Sequence, residues 1–237
     1  MTVRLNAYQQ PVGEPLPDWT PRPYPQRTML AGRFCRLEPL ESARHYEDLL
    51  AAWSSAEDGR DWTYLFSGPF TADELYDYLA TAEASRDPLH FAVIDLQSGR
   101  AVGTLALMRI EPAHGVIEVG HVTFSPLLKR TPLSTESHFL LMRYVFEVLG
   151  YRRYEWKCDS LNAPSRKAAE RLGFSYEGLF RQAIVYRGRS RDTTWFSVID
   201  SEWPALRQAF MSWLDAANFD ETGQQRQSLA SLRQQIS

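Results

Sequence analysis

Between residues 90 and 124 the chain runs HFAVID, QSGR, AVGTLALMRI, PAHG and VIEVGHVTF with little between them. Three apolar, β-rich runs are joined by glycine-containing turns of about four residues, too short for the crossover that parallel neighbours need. They predict consecutive antiparallel hairpins, a meander with strands at 90–95, 101–110 and 116–124.

The flanking segments must pack on that meander. RFCRLE (33–38) alternates like a half-buried strand, YEWKC (154–158) is a further strand, and YEGLFRQAIVY (176–186) with DTTWFSVI (192–199) flanks the basic turn RGRSR (187–191) as another hairpin. Helical spacing links Leu40, Ala43, Leu50 and Trp53. Thr71 and Glu74 form a capping-box pattern ahead of Leu75, Tyr78 and Leu79. Residues 139–150 (FLLMRYVFEVLG) are apolar on nearly every side, the mark of a buried helix. SRKAAERLGF (165–174) reads as a short helix closed by Gly173, and 201–214 as an amphipathic helix through Trp203, Leu206, Phe210 and Trp213. The expected class is α+β, a mixed, mostly antiparallel sheet of about seven strands flanked by helices.

Six of the 14 prolines fall in residues 1–28, which predicts an extended arm. Residues 29–214 form the domain, and the Gln- and Ser-rich tail 215–237 is expected as a polar helix or a frayed end. A net charge of −3 argues against a nucleic-acid partner, and no apolar run is long enough for a membrane span. Cys35 and Cys158 lack metal-ligand spacing and are too few for a disulfide scaffold, so no metal is expected and the cytoplasm is the expected compartment.

Three segments carry the chemistry in order: strand 116–124 ending at Ser125-Pro126, the stretch LKRTPLSTES (128–137), and NAPSRKAAERLGF (162–174). Together they resemble the GCN5-related N-acetyltransferase superfamily, GNAT, in its ribosomal-protein-alanine N-acetyltransferase branch, over roughly residues 30–200. The resemblance implies a sheet splayed between its fourth and fifth strands, at 116–124 and 154–158, with acetyl-CoA as co-substrate in the gap. It implies that backbone groups of Val122 and Phe124 bond the pantetheine arm. The N–H groups of Arg130, Thr131, Leu133, Ser134 and Thr135 would face the pyrophosphate at a helix start, with charge from Lys129 and Arg130. Relatives commonly have two glycines in this loop, where Arg130 and Pro132 stand here. Asn162 would reach the cofactor and Ser165 would protonate the departing thiolate; both are equally the residues of an ordinary helix cap.

The reaction expected is acetyl transfer from acetyl-CoA to a primary amine, on a small molecule or a protein N-terminus, by direct attack in a ternary complex. A neutral amine is required, so a base is needed. Glu118 is the expected one, two residues from Gly120 and on its face, with a surface ion pair as its other use. His121 is the alternative, which strand alternation turns to the opposite face. Trp62, Tyr64, Phe66 and Tyr186 are expected to wall the acceptor pocket, or equally to be core packing. The arginines of 187–191 suit a solvated turn or an acidic acceptor. The glycine-poor loop leaves an acyl-CoA-binding regulatory module without turnover as the alternative, and the arm and tail suit a homodimer or a monomer.

Overall fold

In the computed structural model, which describes residues 4–236, the meander is β5 (Leu89–Asp95), β6 (Ala101–Glu111) and β7 (Val116–Phe124). Preceding it are β1 (Arg4–Leu5), β2 (Pro11–Val12), β3 (Leu30–Ala31), β4 (Cys35–Pro39), α1 (Ser42–Ser54) and α2 (Ala72–Ala84). Following it come α3 (Pro132–Arg143), β8 (Arg153–Asp159), α4 (Ala163–Leu172), β9 (Ser175–Tyr186), β10 (Arg189–Ile199), α5 (Trp203–Leu214) and α6 (Leu229–Ile236).

Eight strands make one sheet in the order β3-β4-β5-β6-β7-β8-β10-β9; the strand beyond the seven expected is the two-residue β3. All neighbours are antiparallel except β7 and β8, which α3 joins by a crossover. Side-chain alternation then sorts the residues onto two faces. Phe91, Val93, Leu105, Leu107, Ile117, Val119, Tyr154 and Trp156 join α3 and α5 in the main core. Ala92, Ile94 and Ala101 turn the other way and pack with Leu49, Leu75 and Leu79 of α1 and α2. Beyond those two helices the same face carries Glu118, Glu155 and Lys157.

The caps behave as the sequence predicts, whereas α1 buries Ser42, His45, Leu49 and Ala52 and leaves Ala43 of the expected face exposed. The Thr71 N–H donates to the Glu74 carboxylate at 2.8 Å, and the Thr71 hydroxyl accepts from the Glu74 N–H at 3.4 Å. Gly173 ends α4 at φ +99, where a Cβ would also lie 2.6 Å from Leu206. The arm wraps the domain: the Trp19 indole donates to Ala113 O at 2.9 Å, the Arg22 N–H to Pro112 O at 2.9 Å, and the Gln26 N–H to the Tyr144 hydroxyl at 2.9 Å. The tail is part of the domain. Leu229 and Leu232 of α6 are buried in the main core, and the Asn218 amide donates to Trp213 O and Gln227 O.

One long-range tie holds α3 to the sheet. Glu136, 3% exposed, accepts the N–H groups of Arg33, Phe34 and Cys35 at 2.7, 2.6 and 2.7 Å. Hydrogen bonds to a charged group contribute about 1.5–3 kcal/mol each, and a buried N–H left unpaired costs about 1–3 kcal/mol. Glu136→Ala is therefore expected to lose about 3 kcal/mol or more of unfolding free energy and Glu136→Gln less, measured by urea titration; equal stability of wild type and the alanine variant would refute this tie.

Candidate active site

β7 and β8 pair in parallel from Val116 opposite Arg153 to Val119 opposite Trp156, and there the ladder stops. β7 bulges just past this point. Thr104 faces Thr123 and Ala106 faces Gly120, so Leu105 stands opposite both His121 and Val122, with His121 at φ +48. On the α3 side the opening is wedged by His138, whose ring lies 5.5 Å from Phe124 of β7 and 5.1 Å from Trp156 of β8. Past Gly120, the β7 edge turned away from β6, including Val122 and Phe124, lacks a strand partner.

The stretch after β7 turns back on itself. The Leu128 and Lys129 N–H groups both donate to Ser125 O at 3.0 Å, and the Ser125 hydroxyl donates to Val102 O at 2.6 Å. Arg130 sits at φ +61, the left-handed region in which glycine is comfortable. Thr131 is the extended N-cap and Pro132 opens α3, yet no side chain caps the first-turn N–H groups. The hydroxyls bond inward: Thr131 to Leu128 O at 2.7 Å and Ser134 to Thr131 O at 2.7 Å, while Thr135 accepts from Arg171 at 2.7 Å. Leu133 is half-buried against the core. Lys129 reaches across to Asp61, 2.5 Å away.

At the start of α4 the Asn162 side-chain Oδ1 accepts the Ser165 N–H at 3.2 Å, so Asn162 is the helix cap. Ser165 lies at the splay instead of capping: its hydroxyl accepts from the Trp156 indole at 3.0 Å, leaving its proton to donate elsewhere.

On the opposite side of the opening Glu118, 5% exposed, lies 2.8 Å from Lys157 and 3.2 Å from Arg109. Lys157 also pairs with Glu155 at 2.7 Å and lies 3.7 Å over the Trp195 ring. Burial raises the Glu118 pKa, against the pull of Lys157 and Arg109. His121 corrects a sequence expectation. The bulge breaks the alternation, and its ring lies 5.0 Å from that of His90, on the α1–α2 face that Glu118 also occupies. Burial lowers the His121 pKa, so its imidazole is neutral near pH 7.

The two expected acceptor-side loops touch. Arg187 donates to Trp62 O at 3.0 Å, Arg189 to Thr63 O at 2.7 Å, and Phe66 meets Tyr186 at 5.4 Å. Phe66 is exposed and Tyr64 half-buried, whereas Tyr186 is buried with its hydroxyl donating to Asp159 at 2.8 Å. Trp62 is buried edge-on between Trp53 at 5.4 Å and Phe70 at 5.2 Å, and Tyr78 and His90 continue this aromatic run to His121. Among the described residues no group of His, Cys, Asp and Glu side chains could hold a metal ion.

The family model for an acetyltransferase (GNAT) domain matches residues 35–175, more than half of the chain. The chain belongs to the GNAT acetyltransferase family. It is similar, at 55% identity and a TM-score of 0.90, to the crystal structure of a GCN5-related N-acetyltransferase from Brucella melitensis, over 92% of this chain and all of that one. It is 26% identical to an N-acetyltransferase called p20 from Bacillus licheniformis, over 64% of this chain and 85% of the relative. A ribosomal L7/L12 alpha-N-protein acetyltransferase shares the fold at a TM-score of 0.62 and 19% identity, over 76% of this chain and 98% of that one. GNAT enzymes generally use acetyl-CoA, and the parted strands above an uncapped helix start suit that donor.

Sequence reading of this GNAT chain missed His138 and His90. Each was a lone histidine in an apolar run, and only the sheet brings their rings to the splay. Burial holds both imidazoles neutral, with pKa values lowered to about 3. An unfolded histidine titrates near 6.5, so from about pH 6.5 down to about pH 3 the unfolded chain binds more protons. Stability is complete above that window and falls as pH drops through it, by about 1.4 kcal/mol per pH unit for each histidine. Urea titrations between pH 7 and 4 are expected to show His138→Leu losing less stability with acid than wild type; parallel curves would contradict a buried neutral His138.

Proposed function

We propose that this chain transfers the acetyl group of acetyl-CoA to a primary amine by direct attack in a ternary complex, in the cytoplasm. The observation that carries this is the parting of β7 and β8 beside a helix start that no side chain caps. Free backbone groups of Val122 and Phe124 bind the pantetheine amides. The α3 N-terminus, with the N–H groups of Arg130, Thr131, Leu133, Ser134 and Thr135, binds the pyrophosphate through the helix dipole, the Ser134 N–H turning to it from Thr131 O. Arg130 adds charge there, and Lys129 does so by leaving Asp61. Asn162 acts through its cap, which fixes Ser165 against Trp156. Trp62 supports the acceptor pocket from behind while Tyr64, Phe66 and Tyr186 wall it.

Glu118 takes the first proton, through water, converting the ammonium acceptor to an amine. The amine nitrogen attacks the thioester carbon, and backbone N–H groups near Val122 stabilise the oxyanion. When the carbon–sulfur bond breaks, Ser165 gives its proton to the thiolate and regains one from the new ammonium, leaving amide, free CoA and one released proton. A raised carboxylate pKa makes Glu118 the stronger base, which favours it. His121 is the second reading, favoured by its place on the Glu118 face and its neutral imidazole.

Titration calorimetry is expected to show acetyl-CoA binding to wild type and about tenfold weaker binding by the Arg130→Ala, Ser134→Ala double variant. No heat with wild type overturns the proposal. In thiol-release assays Glu118→Gln is expected to lower kcat by about a hundredfold and His121→Asn by less than threefold, since general bases contribute about 10²–10⁴. The reverse order would hand the proton to His121.

A further inference from the structure

Arg191 is the arginine that the sheet buries. It is 6% exposed on β10, and no carboxylate of the described residues lies within 4.0 Å of it. Its Nε donates to the Thr193 hydroxyl at 3.1 Å. Its guanidinium carbon lies 5.5 Å from the Phe66 ring and 5.9 Å from the Tyr186 ring, one from each acceptor-side loop. The neighbouring acid, Asp159, is occupied by the Tyr186 hydroxyl and the Leu161 N–H. Other buried charges of this face are matched: Glu118 by Lys157 and Arg109, Glu155 by Lys157 and Arg153. Arg187 and Arg189 spend donors on carbonyls of the opposite loop, which closes the two loops together.

Burying a cation without an anion is costly, and contacts with aromatic rings offset only part of that cost. A guanidinium is also the side chain that takes a carboxylate bidentately. We infer that Arg191 binds a carboxylate on the acceptor, so that the preferred substrate is an amine carrying an acidic group. This rests on the acetyltransferase reading above. It places the specificity anchor on the face of Glu118, since Asp159, which holds Tyr186, follows Lys157 by two residues along β8, about 7 Å. Arg191 is a binding residue here and takes no part in proton transfer.

The first test needs no turnover. In the full-length chain with nitrogen-15 arginine, the Arg191 Nε–H resonance, assigned by its loss in Arg191→Lys, is followed during titration with glutarate and with its neutral counterpart glutaramide. A saturable shift with glutarate alone is expected; no shift, or equal shifts with both, overturns the inference. The second test compares the C-terminally amidated dipeptides Ala-Glu and Ala-Gln as acceptors. Wild type is expected to show a KM about tenfold lower for the acidic peptide, and Arg191→Gln to bring the two within about twofold at nearly unchanged kcat. A purely structural Arg191 would lower kcat for both peptides and leave their ratio alone. Absence of acetyl-CoA binding in calorimetry would fail the acetyltransferase reading separately, because the glutarate titration reports on Arg191 whether or not the donor binds.

Discussion

The parting of two neighbouring strands governs everything else in this molecule. A sheet interior normally satisfies its own backbone groups, so an opening there must be held by something stronger than absent pairing. The bulge at His121–Val122 bends β7, and the His138 ring stands between Phe124 and Trp156 on the core side. Glu136, two residues before His138, fixes the first turn of α3 by gripping three N–H groups at the start of β4. The same helix thus carries both the wedge and the tie that holds it.

Charge is distributed accordingly. On the core side of the opening His138 is uncharged and Trp156 is turned towards Ser165, with Arg171 the charge that acts on His138. The other side carries a buried lattice of paired charges from Arg109 through Glu118 and Lys157 to Glu155 and Arg153. Arg191 is the member of that second wall for which the described residues supply no carboxylate within 4.0 Å.

Most of the fold was legible because it is written locally. Short turns forced the meander, the Thr71–Glu74 spacing started α2, and Gly173 ended α4. The family was legible from three segments in order, and GNAT membership bears that out. What escaped depends on partners distant in sequence. Alternation placed His121 on the wrong face because a bulge adds a residue that no period-two pattern contains. Asp61 beside Lys129 and Arg171 donating to the Thr135 hydroxyl are partners that the fold brings from elsewhere in the chain, and no local pattern announces them. The tail reads as a polar helix or a frayed end because its anchors, Leu229 and Leu232 in the core and Asn218 bonded to Trp213 O, are few in a polar sequence.

The grip of Glu136 on Arg33, Phe34 and Cys35 spans about a hundred residues of chain. Closing so long a loop carries an entropy cost that must be met before the bonds form, and contacts of this range slow folding. As the chain is synthesised, the N-terminal strand β4 cannot be tied to α3 until the whole meander has been made. The opening in the sheet is therefore finished late, after the hairpins whose edge it interrupts, and the half-built domain presents an unpaired β7 edge to its surroundings until α3 and β8 arrive.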